Sequence, residues 1–476
     1  MPVLAMLVLL SSAALIEAFR LSSLSTLASA DVWWHLSTGL WIIQNHALPR
    51  NALSSQSSDF PWIASSWAYD LLLAFGYRLL DLCSIPALLM CFKAALALIT
   101  FLLAGGTRGN FWPAVALSVI AQYILLGVEP GPIYCSMLLF GVELLLLTKS
   151  RATGSVRSLY WLPPLFLLWT NLDVRFAYGV ALLLLFVATS FLAKSGPSTA
   201  PVKALGVVTA LCLVATVMTP YFYHPWGVFF ATATSAANRY LPEFHAMNFH
   251  QPEDYVLLLL TMAAFLSLGR CRSRDPFQIL FLIGCAMLSF HAQRDTWVVT
   301  LAAVAVIGQA VHGASDIAEA NPQGVPHRQV VTATVLTIAV ILVAVELRIP
   351  RSRQAVLAKI AASYPVAACN FIREHHLPQP LFNAYEWGGF LTWYLPEYPV
   401  AIDSRADLYG DDFMIQYSKV MNAELPYTEY PALSRARTIL LPRGSLMGKA
   451  LSSVPAFKVA YGDDVAVVLI GSGPNG

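Results

Sequence analysis

Long apolar runs dominate the first three quarters of this 476-residue chain and restrict what it can fold into. A helix of about 20 apolar residues crosses roughly 30 Å of hydrocarbon. If tilt and short ends are allowed, about eleven runs are long enough. They lie near residues 3–19, 84–104, 111–127, 133–148, 159–170, 176–193, 203–219, 254–269, 276–291, 295–312 and 329–347. The sequence therefore predicts an α-helical, polytopic membrane protein.

The composition agrees with a membrane protein and excludes two other classes. Hydrophobic residues make up 57% of the chain and charged residues 12%, too few charges for a water-soluble surface of this size. A net charge of +2 excludes binding to nucleic acid through bulk charge, so no nucleic-acid partner is expected. The seven cysteines stand singly, without a CxxC pair, and predict neither a disulfide framework nor a zinc site.

Lysine and arginine in short loops favour the cytoplasmic side of a membrane and so predict the orientation. With the N-terminus in the cytoplasm, the basic loops around Lys149 and Arg270 are cytoplasmic as well. The first run, near 3–19, is predicted to be a retained anchor. The stretch from Trp67 to Leu80 is short and carries Asp70 and Arg78, so we interpret it as an interfacial helix.

Two domains are predicted. Residues 1–349 form a transmembrane domain that includes a first outer loop, 20–83, and residues 350–476 form a small α/β domain outside the membrane. In the second domain, strands are expected at PLFNA, PVAID, TILL, FKVAY and VAVVLI, with a helix at EWGGFLTWYL. Strand, helix and strand in short succession indicate a right-handed crossover.

The first outer loop opens with DVWWHLSTGLWIIQNHALPR, which begins at Asp31. Asp31 and His35 are four residues apart and would share one face of a helix, where they could carry chemistry. The alternative is that Asp31 is an N-cap and that Trp33 and Trp34 lie at the membrane interface. The residues alone favour the N-cap.

Asp403, Arg405 and Asp407 directly follow the predicted strand PVAI. Open α/β folds carry ligand-binding groups at such strand ends, so the carboxylates could bind sugar hydroxyls and Arg405 a phosphate. The alternative is an ion-pair network that stabilises a turn.

Glu386 either binds substrate or complements a helix N-terminus. The neighbouring aromatic residues either stack on sugar rings or pack on the membrane surface. They are Tyr385, Trp387, Trp393 and Tyr394.

Lys93 and Glu143 lie within predicted spans, where ionisable side chains are costly and usually paired. We therefore predict an ion pair between them or a Glu143 side chain that extends to the inner interface, and consider an ion path the weaker alternative.

The chain resembles the bacterial C-type (GT-C) membrane glycosyltransferases. In the first loop, the resemblance consists of an acidic residue directly after the first span, WWHL, the tripeptide Leu48-Pro49-Arg50 and an aromatic helix from Trp62 to Tyr77. In the C-terminal domain it is FNAYEWGGFLTWYLPEYPVAIDSRADLYGDDF, from Phe382 to Phe413. The similarity covers nearly the whole chain, and these two motifs are its specific part.

This resemblance implies transfer of a sugar from a polyprenyl-phosphate carrier to a lipid, glycan or protein acceptor at the outer face of a bacterial inner membrane. The partners would be that lipid-linked sugar, membrane lipids and the acceptor. Asp31 stands at the family's catalytic or metal-binding position, as a general base or as a ligand of Mg²⁺ or Mn²⁺. The candidates for substrate and phosphate binding are His35, Asp173, Arg175, Glu243, Arg294, Glu386, Asp403, Arg405 and Asp407.

The sequence departs from the family pattern at three positions. Asn171-Leu172-Asp173-Val174 stands where relatives typically read Asn-Leu-His-Gly, Ser66 replaces a Glu that is common before the Trp, and Asn51-Ala52 replaces an acidic position. The second carboxylate of the site is therefore open, with Asp70 and Asp173 as candidates.

Two other classes of protein are considered. A non-catalytic assembly or scaffold protein derived from the same fold would explain the departures. A transporter is disfavoured, because ionisable residues and broken helices at mid-membrane depth are nearly absent from the sequence.

Overall fold

The structure is a computed structural model that describes residues 30–49, 51, 62–106, 111–192, 202–273, 275–315, 332 and 352–471. These residues belong to two compact units. The helical unit contains residues 89–229 and 241–315, and the mixed unit contains residues 30–88, 230–240 and 352–471, each within the described ranges. The predicted span at 3–19 lies outside the described residues, as does the span at 329–347 apart from residue 332.

The units differ from the predicted domains at two places. The first outer loop, which we assigned to the transmembrane domain 1–349, belongs to the same compact unit as the C-terminal residues. Residues 230–240, which also lie within 1–349, belong to that unit too. The predicted domain boundary at 349/350 stays a prediction.

Helices α1 to α12 follow one another from the first loop to the end of the helical unit. They are α1 (Ala30–Asn45), α2 (Trp67–Leu80), α3 (Ser84–Leu103), α4 (Phe111–Ile124), α5 (Ile133–Thr153), α6 (Leu162–Leu172), α7 (Phe176–Leu192), α8 (Val202–Ala215), α9 (His224–Thr234), α10 (Pro252–Arg270), α11 (Pro276–His291) and α12 (Thr296–Ser315).

Four helical segments of the described chain are long and apolar enough to cross a membrane. They are Trp67–Leu103, Ile133–Thr153, Pro252–Arg270 and Gln293–Val311. Four shorter apolar helices lie at Phe111–Gly127, Phe176–Phe191, Lys203–Ala215 and Pro276–His291, each within or next to a predicted run. The membrane class is supported, and the count of about eleven spans stays a prediction.

Local signals in the sequence set the ends of several of these helices. At the start of α11 the Asp275 carboxylate accepts a hydrogen bond from the Phe277 amide, at 3.1 Å. Helix α10 begins with a capping box between Gln251 and Asp254. Helix α5 ends at Gly154, whose φ of +63° is the left-handed conformation that glycine adopts without strain.

Helix α2 is separate from α3. It ends at Leu80. The next residue, Asp81, has a φ of +51° and starts one turn of 3-10 helix. The 14 residues of α2 span about 21 Å, less than the hydrocarbon thickness of a bilayer. The length agrees with the interfacial interpretation, and the position of α2 at a membrane surface stays a prediction.

The predicted ion pair between Lys93 and Glu143 is wrong. Glu143 is completely buried within α5, and neither of its carboxylate oxygens has a hydrogen-bond partner among the described residues. A Glu143 side chain that reaches the inner interface is excluded by the same burial.

The mixed unit continues after residue 352 with short helices and a small sheet. The helices are α13 (Arg353–Ile360), α14 (Val366–Glu374), α15 (Tyr385–Tyr394), α16 (Ala406–Tyr409), α17 (Asp411–Met421), α18 (Pro431–Ser434) and α19 (Leu446–Ser452). The strands are β1 (Leu381–Asn383), β2 (Thr438–Pro442), β3 (Phe457–Gly462) and β4 (Ala466–Gly471).

The four strands form one sheet in the order β1-β2-β4-β3. Strands β1 and β2 are parallel, and the two other pairs are antiparallel. A parallel pair needs a crossover, which here contains α15 to α18. Strand β2, in the middle, has four of its five residues buried. A small sheet is thus present near the C-terminus, and the α/β domain outside the membrane stays a prediction.

The predicted strand PVAID is wrong apart from a single bridge residue, Val400. The Asn383 side chain at the end of β1 supplies the reason. Its Oδ1 accepts from the Ala401 amide at 2.9 Å, and its Nδ2 donates to the Ile402 carbonyl at 2.7 Å. Backbone groups that a neighbouring strand would satisfy are thus satisfied by one side chain.

Glycines allow the helices of the mixed unit to approach closely. A Cβ atom on Gly39 of α1 would collide with the backbone of Asp70 in α2. A Cβ atom on Gly388 of α15 would collide with the Ile402 carbonyl, and one on Gly389 with the Ala30 carbonyl. The Gly-Gly pair therefore sets the distance of α15 from both α1 and the 400–403 segment.

We expect Gly389→Ala to destabilise the mixed unit by about 1–3 kcal/mol, because backbone atoms must move to admit the methyl group. The direction is diagnostic, since alanine ordinarily stabilises a helix interior by about 0.5–1 kcal/mol relative to glycine. Thermal unfolding of the purified protein measures the effect. Gly444→Ala is the control, because that site has open space. Equal unfolding temperatures for the two variants would contradict the close packing.

Asp411 holds the 230–240 segment within the mixed unit. Its carboxylate accepts from the Ser235 hydroxyl at 2.6 Å and from the Ala236 amide at 2.8 Å. The Asp411 carboxylate, as the acceptor, therefore caps the start of the 3-10 helix Ala236–Tyr240. The two donors also lower the pKa of Asp411 below its ordinary value, because both stabilise the charged form.

This lowered pKa predicts an acid-sensitive contact. The stabilisation is complete above the unfolded pKa of about 4 and is lost as the pH falls through the lower folded pKa. Protection of the Ala236 amide against hydrogen exchange, corrected for intrinsic exchange, should therefore fall below about pH 4. Asp411→Ala should remove that protection at neutral pH, whereas the neighbouring Asp412→Ala should not. Unchanged protection in the Asp411 variant would refute this contact.

Candidate functional site

The first-loop motif and the C-terminal motif meet at Trp34 in the mixed unit. Helix α1 begins at Ala30 in the described chain, and half-buried Asp31 lies in its first turn. The Trp34 indole Nε1 donates to Asp31 Oδ1 at 3.3 Å and to Ser404 Oγ at 3.1 Å. Residues 370 positions apart are thereby joined, and Asp31 keeps contact with solvent.

Arg405 and Asp403 form a buried ion pair next to Trp34. Asp403 is completely buried and Arg405 is 2% exposed. Arg405 Nε lies 3.0 Å from both oxygens of Asp403, and its Nη2 donates to the same carboxylate. The guanidinium carbon lies 5.1 Å from the ring centre of Trp62 and 5.8 Å from that of Trp34. Asp403 therefore forms the ion pair that was the alternative to binding sugar hydroxyls.

Asp407 is the carboxylate of this motif that remains exposed. The mixed-unit cluster thus has two carboxylates in contact with solvent, Asp31 and Asp407, beside a neutralised arginine held between two indoles.

The partner of the His35 side chain is Asp70 of α2. His35 Nδ1 is 2.5 Å from Asp70 Oδ1, and both side chains are buried. The pair joins α1 to α2, with the Tyr69 ring 5.1 Å from the imidazole. His35 and Asp70 therefore stabilise the base of the first loop, and neither side chain faces solvent as a substrate-binding or second catalytic group would.

Most of the aromatic residues predicted to contact sugars or lipid pack inside the protein. Trp33, which could have lain at the membrane interface, is completely buried and stacks on Trp393 at 5.0 Å. Trp387 donates to the Ser363 carbonyl at 3.2 Å, and Tyr394 stacks on Phe390. Tyr385 differs, because its hydroxyl lies 3.5 Å from the Ser404 carbonyl.

Glu386 is exposed in the first turn of α15. A carboxylate at this position complements the N-terminus of a helix. The position agrees with that interpretation of Glu386, which was the alternative to substrate binding.

A second cluster lies in the helical unit, where α6 is followed by α7. Arg175 Nη1 donates to both carboxylate oxygens of Asp173 at 3.1 Å. Asp173 also accepts from Ser136 of α5 at 2.6 Å, and Ser136 in turn accepts from the Trp169 indole at 2.7 Å. Asp173 is 2% exposed and fully bound, which makes it a structural anion of this turn.

Arg294, Glu243 and two residues that the sequence analysis did not select complete this cluster. Tyr178 donates to Asp295 Oδ2 at 2.9 Å, and Arg294 lies over the Phe244 ring at 4.2 Å. The charge of Arg294 interacts with those of Arg175, Asp295 and Glu243. The structure therefore brings four predicted residues, Asp173, Arg175, Glu243 and Arg294, into one cluster. Tyr178 lies three residues after Arg175, and Asp295 directly follows Arg294, so their nearness to selected residues was the available signal.

The described residues offer only part of the ligand set that the predicted divalent cation would need. In the described part of the chain, no three histidine, cysteine, aspartate or glutamate side chains are grouped so that they could hold a metal ion. Asp31 alone would need further ligands from the substrate, because the Trp34 indole N–H is a donor and cannot bind a cation. A cation at Asp31 stays a prediction, and no step below depends on it.

The chain is similar in structure to a protein of known structure, at low sequence identity. No family model matches the chain, and no curated protein matches it. Among solved structures, the crystal structure of ArnT from Cupriavidus metallidurans bound to undecaprenyl phosphate is similar, with a TM-score of 0.49 and 14% sequence identity. The match covers 98% of each chain.

Proposed function

We propose that the chain is a membrane glycosyltransferase that moves a sugar from a polyprenyl-phosphate carrier to a lipid, glycan or protein acceptor. The reaction would take place at the outer face of a bacterial inner membrane. One observation supports this proposal most: the two segments that resemble the GT-C enzymes meet through Trp34, which binds both Asp31 and Ser404.

Asp31 is the proposed general base. Its carboxylate would accept the proton of an acceptor hydroxyl while that oxygen attacks the anomeric carbon and the polyprenyl phosphate leaves, with inversion. Solvent reaches Asp31, and Trp34 fixes one of its oxygens, so the other can face an acceptor. Asp407, exposed and close to Arg405, is the second carboxylate that this geometry favours.

Three arginines were candidates for the leaving phosphate, and their contacts separate them. Arg175 and Arg405 each bind a carboxylate, which reduces the charge they offer to a phosphate. Arg294 packs on Phe244, with the charges of Asp295 and Glu243 nearby. Among these three arginines, Arg294 is the one that we prefer as a contact for a phosphate group.

A scaffold protein is the second candidate, and a specific observation favours it. The ion pairs Arg405–Asp403 and Arg175–Asp173 are closed, as in structural networks. Lipid and glycan profiles of a strain without the chain separate the candidates. The transferase predicts that one glycosylated product disappears while its polyprenyl-phosphate-linked donor accumulates. Unchanged profiles with altered membrane complexes would favour the scaffold instead.

The proposed location makes a topological prediction. The loop with Lys149 should be cytoplasmic, and the residues after about 350 should lie outside, because of the lysine and arginine bias. Reporter fusions after Ser150 and after Gly476 should give opposite compartments. If both report the same side, the predicted number of spans is wrong.

A further inference from the structure

Glu143 is a buried acid that the proposed reaction does not use. It lies in the middle of α5, a helix of 21 residues that is long and apolar enough to cross a membrane. Its side chain is completely buried, and neither oxygen has a hydrogen-bond partner in the described chain. Acidic side chains at such a depth are rare and are usually paired.

The groups that face Glu143 offer it no positive charge. Gly179 of α7 leaves room for the carboxyl, since a Cβ atom there would lie 2.7 Å from Glu143 Oε2. Trp169 of α6 borders the same position, but its Nε1 donates to Ser136. From α8, the Cys212 thiol is close enough to interact electrostatically. Among the described residues, none of these neighbours is a cation.

The free-energy cost of an ionised carboxylate at this position determines the protonation state of Glu143. An ionised carboxylate without a counter-ion in a low-dielectric interior carries a penalty that is large compared with the net stability of a protein. A neutral carboxylic acid avoids most of that penalty. The acid form is therefore the stable form as long as the helices keep this packing.

We propose that Glu143 is a proton-binding site of the helical unit, held as a neutral carboxylic acid at neutral pH. An apolar carbodiimide, which partitions among membrane helices, reports this state because its reaction uses the proton of the acid form. In that reaction the acid proton moves to one nitrogen of the reagent and a carboxyl oxygen bonds to its central carbon. The O-acylisourea then rearranges to an N-acylurea by transfer of the acyl group to nitrogen. No atom is lost, so the protein gains the full mass of the reagent.

The test uses the purified full-length protein with dicyclohexylcarbodiimide at neutral pH, followed by peptide mass spectrometry. We expect the adduct on the peptide that contains Glu143, and its loss in Glu143→Gln, which keeps the shape of the side chain. Glu424→Gln, at an exposed position, is the matched control and should leave the labelling unchanged.

A second measurement does not depend on any variant being folded. In the wild-type protein labelled with ¹³C-glutamate, infrared spectroscopy should detect a protonated carboxyl C=O band at neutral pH that disappears after carbodiimide treatment. If no adduct forms, the infrared band decides, and wild-type protein without a protonated carboxyl band at neutral pH would overturn the proposal. Both readouts concern the protein alone, so neither depends on the proposed transferase activity.

Discussion

Asp31→Asn should be expressed and folded like the wild type and should lose on the order of a hundredfold or more of the transfer rate. Asparagine keeps a side-chain oxygen that can accept from Trp34 Nε1, so the geometry of the first turn is retained. What disappears is the basic oxygen that would take the proton from an acceptor hydroxyl. The amount of glycosylated product in cells, normalised to the protein level, measures the effect.

A matched control separates loss of the base from loss of surface charge. Asp81 is an acid at the end of α2, 41% exposed and paired with Arg353 at 3.7 Å. Asp81→Asn should leave the product unchanged. A normally expressed Asp31→Asn variant that still makes wild-type product would refute the base assignment and favour the scaffold. If Asp31 were only a helix cap, Asp31→Ala would cost about 1 kcal/mol of stability without a separate loss of activity.

Asp403→Ala should destabilise the mixed unit by about 3–5 kcal/mol, because it leaves the buried Arg405 charge without its partner. The double variant Asp403→Ala/Arg405→Met should recover much of this loss, since replacing both members of a buried ion pair by apolar groups is often nearly neutral. Denaturant unfolding of the purified variants gives the comparison. A double variant as unstable as the single one would contradict the pairing.

The same double variant tests the role of Arg405. If Arg405 only neutralises Asp403, the folded double variant keeps most of its transfer activity. If Arg405 contacts the leaving phosphate, the double variant loses activity while its stability recovers.

The sequence predicts elements whose cause is local and misses those whose cause is distant. The C-terminal strands at Phe457–Gly462 and Ala466–Gly471 follow from short runs rich in β-branched and aromatic residues, and the structure has them. PVAID has the same composition but is no strand, because the side chain of Asn383, in a different segment, binds its backbone. No property of the five residues themselves contains that information.

The candidate site divides in the same way. The motifs around Asp31 and Asp403 were recognisable, but that Trp34 joins them is a tertiary fact across 370 positions. His35 was expected beside Asp31 from helical spacing, whereas it binds Asp70, 35 positions away on α2. Lys93 and Glu143 looked like a pair because both are charged residues in spans. The spacing of residues shows which side chains share one face of a helix. It does not show which neighbouring helix packs on that face.

The proposed function of this chain is transfer of a sugar, with Asp31 as the general base. The most direct measurement gives purified protein in lipid nanodiscs a polyprenyl-phosphate-linked sugar, with membranes of the deletion strain as the source of acceptor. Wild-type protein should release free polyprenyl phosphate in step with glycosylated product, and Asp31→Asn should release about a hundredfold less or still lower amounts at equal protein. Equal release by the two proteins, or product without release of polyprenyl phosphate, would contradict the account.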